Sequence, residues 1–283
     1  MEQKTGRGPI APTLLLVGIL LAVVGLFGSL LGNRPQFEEA LPAESLSLEL
    51  PGLTGIDLDT AFGDVEFVLQ GDRSYLSGSG FEKGTVTSRY ENGRLVMRQK
   101  TPGRMLTDRL KDLLRGRGSP LRRGKLVITI AEGTRLEKLD VEHGAGNLSL
   151  RGVVADKAEI GLGAGEITLE GTALSEALVE DGAGNITLKN VSIPNKLTVE
   201  NGTGNILLEG SVAGKIKLSC GAGNITANLS GSLQDYRITA SCGLGEVRVG
   251  GFGYGKKAEL SPSGALHSIE AENGAGNVDI SIQ

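Results

Sequence analysis

One short phrase, Gly-small-Gly followed by Asn or Glu and then by alternating apolar residues, recurs through the second half of this 283-residue chain. It reads HGAGNLSL from His143, LGAGEITL from Leu162, DGAGNITL from Asp181 and NGTGNILL from Asn201. It continues as CGAGNITA from Cys220, CGLGEVRV from Cys242 and NGAGNVDI from Asn273. The first glycines are Gly144, Gly163, Gly182, Gly202, Gly221, Gly243 and Gly274, at spacings of 19, 19, 20, 19, 22 and 31 residues. A worn copy, TAFGDVEF from Thr60, has Ala61 in the first glycine's place. A fixed period of about 20 residues is the mark of a repeat architecture.

Counting each copy from its first glycine as zero, positions −5 and −3 are apolar throughout, as in Leu139 and Val141 or Leu197 and Val199. Positions +4 and +6 are apolar too, as in Ile167 and Leu169 or Ile186 and Leu188. The positions between them are mostly charged or hydroxylated, so each copy holds two strands of period two, each with one buried face. Between the strands stands a second glycine: Gly146, Gly165, Gly184, Gly204, Gly223, Gly245 or Gly276. Two glycines let the backbone turn a corner at positive φ or press against a neighbouring turn. A strand–corner–strand unit this short cannot bury its apolar face alone, and stacking units at about 4.8 Å buries a continuous column. The expected fold is all-β, a single parallel β-solenoid with coils of 19–20 residues. The worn copy carries Ile56, Leu58, Val65 and Phe67 at the inward positions and is expected to be the first coil.

The corner asparagines Asn147, Asn185, Asn205, Asn224 and Asn277 are expected to hydrogen-bond the corner backbone or their stacked neighbours. Cys220 and Cys242 both occupy position −1 in copies that follow one another, which makes them a candidate disulfide or a stacked pair of buried thiols.

The remainder of the chain divides by composition. Residues 1–13 are polar and read as a cytoplasmic tail. Leu14 to Leu31 is uncharged and apolar, long enough to cross a hydrocarbon core of about 30 Å. An anchor over 14–32 follows. Lys4 and Arg7 precede it and acidic residues follow, which puts the N-terminus inside and the rest outside the cell membrane. Residues 33–48 read as a stalk and 49–283 as the extracellular solenoid. Within it, 72–125 is expected to leave the stack as a hairpin, turning at Asn92-Gly93, and a short basic amphipathic helix. Residues 250–268 are expected to leave it as a glycine-rich loop.

Charge is uneven. Residues 126–283 carry 12 basic and 19 acidic side chains, whereas 104–125 carry a net +6. Arg104, Arg109, Lys111, Arg115, Arg117, Arg122 and Arg123 form the candidate docking segment for an anionic surface, either lipid headgroups or a cell-wall polymer. A single basic segment on an acidic chain argues against nucleic acid as the partner. The two histidines, His143 and His267, have no metal-ligand spacing, and no nucleophile elbow or phosphate loop is present. No cofactor, metal or catalytic residue is expected.

The G-x-G-[DN] repeats, the stretch KLVITIAEGTRLEKLDVEHGAGN and the single N-terminal anchor resemble a family of bacterial putative-adhesin domains of unknown function, over roughly residues 46–283. Membrane-anchored members of that family occur beside envelope-stress systems. The family often has Asp at the fourth repeat position, where this chain has mostly Asn, with Glu166 and Glu246. The resemblance implies a non-enzymatic, adhesin-like or envelope-binding scaffold. Its alternative is an accessory of an envelope-stress signalling system that acts through a membrane protein.

Overall fold

A computed structural model describes residues 43–82, 84–99 and 124–283. The alternating pattern becomes strands almost everywhere. The chain opens with β1 (Ala43–Glu49), β2 (Gly55–Phe62), β3 (Asp64–Leu69) and β4 (Tyr75–Glu82). A hairpin follows, β5 (Val86–Glu91) and β6 (Arg94–Gln99), and beyond residues 100–123 comes β7 (Lys125–Ile130). The repeats then supply strands in pairs: β8 (Leu136–Ala145) with β9 (Leu148–Arg151), and β10 (Val154–Ala164) with β11 (Ile167–Glu170). Next come β12 (Ala173–Ala183) with β13 (Ile186–Ile193), β14 (Lys196–Thr203) with β15 (Ile206–Val212), and β16 (Lys215–Ala222) with β17 (Ile225–Leu229). The last part holds β18 (Tyr236–Leu244), β19 (Val247–Val249), β20 (Phe252–Gly253), β21 (Lys257–Leu260), β22 (His267–Ala275) and β23 (Val278–Ile282). Among the described residues the only helical element is a single 3-10 turn at Leu233–Asp235.

Equivalent strands stack in parallel and in register. Val141, Ile160, Val179, Val199 and Leu218 lie side by side, as do Leu150, Leu169, Leu188, Leu208 and Ala227. Every residue at positions −5, −3, +4 and +6 of the seven full copies is buried, so the two inner rows of each face make one continuous core. Each such side chain contributes about 1.5–3 kcal/mol by leaving water, which only stacking makes available.

Stack order departs from chain order at both ends. Along the first face the strands run β6, β2, β8, β10, β12, β14, β16, β22, β18, and the second face runs β7, β3, β9, β11, β13, β15, β17, β23, β19. The worn copy is therefore the second coil. Outside it lies a coil made by β6 and β7, with Leu95, Met97, Leu126 and Ile128 aligned on Ile56, Leu58, Val65 and Phe67. The expectation that 72–125 leaves the stack is corrected accordingly. β6 and β7 belong to the stack, and they escape a search for the repeat phrase because the sequence between Gln99 and Gly124 does not contain it. At the other end the last coil in sequence, β22–β23, is tucked between β16–β17 and β18–β19.

Antiparallel strands cover both ends. β5 closes β6 through a turn with Asn92 at φ 49° and Gly93 at φ 77°, while β4 and β1 extend the sheet from β7. β21 lies on β18 and β20 on β19, drawn from residues expected only to leave the coil. Such end strands shield edges that would otherwise pair with another chain. No helix among the described residues is long and apolar enough to cross a membrane. The expected anchor at 14–32 lies outside those residues, as do the tail 1–13 and most of the stalk.

A furrow along the corners

The corner is tight because backbone meets backbone. A Cβ on Gly163 would stand 2.5 Å from the Gly144 carbonyl oxygen, so this position has no room for a side chain. On the outer surface the bare glycine row leaves a furrow of about 530 Å3. It crosses five coils, with Gly182, Gly202, Gly221 and Gly274 on its floor and Glu180, Glu200, Ser219, Glu272 and Ser241 along its side.

The strand register sorts charge across this face. Position −2 carries, in stack order, Asp59, Glu142, Gly161, Glu180, Glu200, Ser219, Glu272 and Ser241. Position −6, on the far side of the same strands, carries Lys138, Lys157, Glu176, Lys196, Lys215, Ser268 and Arg237. One rim of the face is acidic and the other mostly basic. Glu180 and Glu200 are direct neighbours across β12 and β14. Burial, then the negative charges of Glu200, Glu142 and Glu159, raise the Glu180 carboxyl above its ordinary range. Glu200 is partly compensated by Lys217, whose Nζ lies 3.2 Å away. The furrow is therefore a negative site that favours cationic or hydrogen-bonding ligands.

Behind the corner the asparagines form a ladder. Asn185 Oδ1 accepts from the backbone N–H of Asn205 at 2.9 Å, Asn205 Oδ1 from that of Asn224 at 3.0 Å, and Asn224 Oδ1 from that of Asn277 at 2.9 Å. Asn277 Oδ1 then accepts from the Glu246 N–H at 3.0 Å, repeating the stack order found in the strands. Asp64 accepts from the Asn147 N–H in the same way, at 3.0 Å. The side chains of Asn185, Asn205, Asn224 and Asn277 thus hold the corner and are not among the furrow's lining residues. Asn205→Ala would strip the Asn224 N–H of its acceptor and is expected to cost about 1–2 kcal/mol in denaturant unfolding. Asn205→Asp keeps an acceptor, as Asp64 shows, and is expected to cost less than the alanine variant. Equal losses would assign the stabilisation to something other than the acceptor oxygen.

The two cysteines are both buried and both free. Asn273 lies between them: its register partner on one side is Cys220 and on the other Cys242. Two strand spacings, about 9.5 Å, exceed any disulfide reach. The candidate disulfide and the expected direct stacking are both corrected, because the last coil inserts between the two that carry the thiols. Cys220 Sγ instead donates to the Gly204 carbonyl at 3.3 Å, and burial pushes its pKa up. The basic docking segment, Arg104 through Arg123, lies outside the described residues. The described residues that flank it, Gln99 and Gly124, lie at the corner of the terminal coil, where Gln99 Oε1 accepts from the Ala61 and Phe62 N–H groups at 3.0 and 3.2 Å.

His143, read as a lone histidine without ligand spacing, is 2 % exposed inside the corner. Thr60 Oγ1 lies 2.7 Å from Nδ1 and the Gly63 carbonyl 2.8 Å from Nε2, while burial lowers its pKa. A neutral imidazole protonated on Nε2 satisfies both contacts. Among the described residues no cluster of His, Cys, Asp or Glu is placed to hold a metal ion.

A known family model, Toastrack DUF4097, matches residues 56–281, the stretch that holds these coils. The chain belongs to the Toastrack family. No curated protein matches it in sequence. Among solved structures, a putative cell adhesion protein from Clostridium sporogenes is 16% identical with a TM-score of 0.40, covering 86% of this chain and 99% of its own. A putative adhesin from Bacteroides fragilis is 14% identical with a TM-score of 0.44, covering 89% of this chain and 100% of its own. The Toastrack match spans the coils from β2 to β23 and leaves out the N-terminal segment.

Proposed function

We propose that this Toastrack protein is a non-enzymatic, membrane-anchored scaffold of adhesin type, which holds its solenoid outside the cell and binds material of the bacterial envelope. The observation that carries this reading is the outer surface. Coil after coil repeats the same polar rows in register, and one furrow crosses five coils without a break. Such a surface suits an extended ligand whose repeating units meet equivalent side chains. The anchor at 14–32 supplies the tether in this reading. The basic residues between Arg104 and Arg123 supply contact with anionic wall polymer or lipid, each adding about 1 kcal/mol near a charged surface.

The test is co-sedimentation of residues 43–283, which hold every described strand, with wall sacculi and with anionic vesicles. A variant lacking 104–123 is run beside it. Binding that weakens with salt and disappears in the variant is the expected result. Absence of binding by either protein would overturn the reading and direct attention to a membrane protein partner, as in an envelope-stress accessory.

A further inference from the structure

At each corner the carbonyl of the second glycine points to the next coil, and among the described residues no backbone N–H donates to those of Gly63, Gly165, Gly184, Gly204 or Gly223. At four corners the side chain at position −1 of the next coil fills that role, whereas at Gly146 the equivalent residue is Leu162, which has no donor. His143 Nε2 meets the Gly63 oxygen at 2.8 Å, Asn201 Nδ2 donates to Gly184 at 2.9 Å, Cys220 to Gly204 at 3.3 Å and Asn273 Nδ2 to Gly223 at 2.7 Å. The oxygen of Gly165 faces Asp181.

Asp181 occupies the same seat as its counterparts. Its Oδ2 lies 2.8 Å from where a Cβ of Gly184 would stand, and His143 Nε2 lies 2.9 Å from the matching point on Gly146. Those two points are themselves 1.5 Å from the Gly165 oxygen and 1.6 Å from the Gly63 oxygen. The Asp181 side chain is 5 % exposed, and neither carboxyl oxygen has a hydrogen-bond partner. A carboxylate here would set a full negative charge against a carbonyl lone pair, whereas the neutral acid has a proton to donate, as the four other polar occupants of this column do.

We propose that Asp181 folds as the neutral acid, with its O–H given to the Gly165 carbonyl, so that ionisation of this one side chain weakens the middle of the solenoid. The surroundings agree. Burial pushes the Asp181 carboxyl up to about 7, against an opposing pull from the Ala183 and Gly182 N–H groups. Its register partners are Leu162 on β10 and Asn201 on β14, neither of which titrates. On the outer surface its strand neighbour Glu180 is influenced by Glu200 on β14 and by Glu142 and Glu159 on β8 and β10, of which Glu200 pairs with Lys217 and Glu159 with Lys138 and Lys157. The furrow lining itself contains no lysine or arginine. The joint goes beyond the proposed binding role.

The direction follows from proton linkage. The unfolded chain releases this proton near the ordinary 3.8, and the folded chain keeps it to about 7. Between those values folding takes up one proton, so the unfolding constant rises about tenfold per pH unit, with no further change above the folded value. Asp181→Asn places a permanent donor in the seat, as Asn201 already does one coil on. Denaturant unfolding of the full chain and of this variant from about pH 5 to pH 8 should give a ratio of unfolding constants, native over variant, that climbs about 100-fold up to pH 7 and then levels. A flat ratio overturns the proposal. Isotope-edited infrared spectra of the native chain with labelled aspartate do not rely on the variant folding. A protonated-carboxyl band present at pH 6 and lost by pH 8 is expected, and its absence at pH 6 would equally overturn it.

Discussion

Gly165→Ala should destabilise the solenoid by about 4 kcal/mol or more, whereas Gly171→Ala, only six residues away, should cost about 1 kcal/mol. Both glycines have positive φ, 141° and 61°, so both alanines must adopt a conformation that L side chains avoid. Only Gly165 faces a neighbour. Its Cβ would stand 1.8 Å from the Gly146 oxygen and 2.7 Å from the Gly146 carbonyl carbon, whereas nothing lies within 4 Å of the Cβ at Gly171. Backbone cannot swing aside as a side chain can. The two coils would have to part at the corner, straining the Gly146 N–H to Ala164 bond of 3.0 Å and the Leu148 N–H to Glu166 bond of 2.9 Å. Denaturant midpoints for the two variants decide the matter. Similar losses would mean that the corner glycine is required for its φ alone and that coil contact is not its reason.

The coils were legible because their determinants are local. Period-two alternation placed Val179, Ile186 and their equivalents on the inner face, and recurrence of the glycine pair placed the corners. Stack order was not legible, because parallel pairing of equivalent strands leaves no trace in either chain taken singly. Leu95 and Met97 satisfy the inward pattern as well as Ile56 and Leu58 do, yet nothing in their alternation says on which side of β2 they stack. The column at position −1 was visible only in part. Asp181, Asn201 and Asn273 read as polar residues beside a turn, and their burial depends on a carbonyl contributed by another coil. Repeat spacing alone sets Glu180 beside Glu200, whereas the opposing basic rim at position −6 emerges only when all the strands are aligned.

Removing the last coil, residues 267–283, should do far more damage than trimming a repeat from the end of an array. In a simple solenoid a terminal repeat shares one interface, so its loss costs one nearest-neighbour contact. Here β22 bonds both β16 and β18, and β23 bonds both β17 and β19. The truncated chain would lose two interfaces and leave β18–β21 attached only through the connection after β17 and the Tyr236 hydroxyl, which donates to the Val212 carbonyl at 2.7 Å. We expect the amides of 236–260 to lose protection from hydrogen exchange while those of β10 to β15 keep theirs. Cys242, 6 % exposed in the intact fold, should then react with a thiol reagent about 100-fold faster or more, with Cys220 less affected. The competing outcome is restacking of β18 directly on β16, the order that the sequence spacing alone suggests. It would keep Cys242 slow to react and bring the two thiols onto adjacent strands, so that mild oxidant would join them. A Cys220–Cys242 bond forming in the truncated chain but not in the intact one would therefore show that chain order is a viable stack. Insertion of the final coil would then be a matter of preference between two arrangements, and the expectation of a detached C-terminal end would fail.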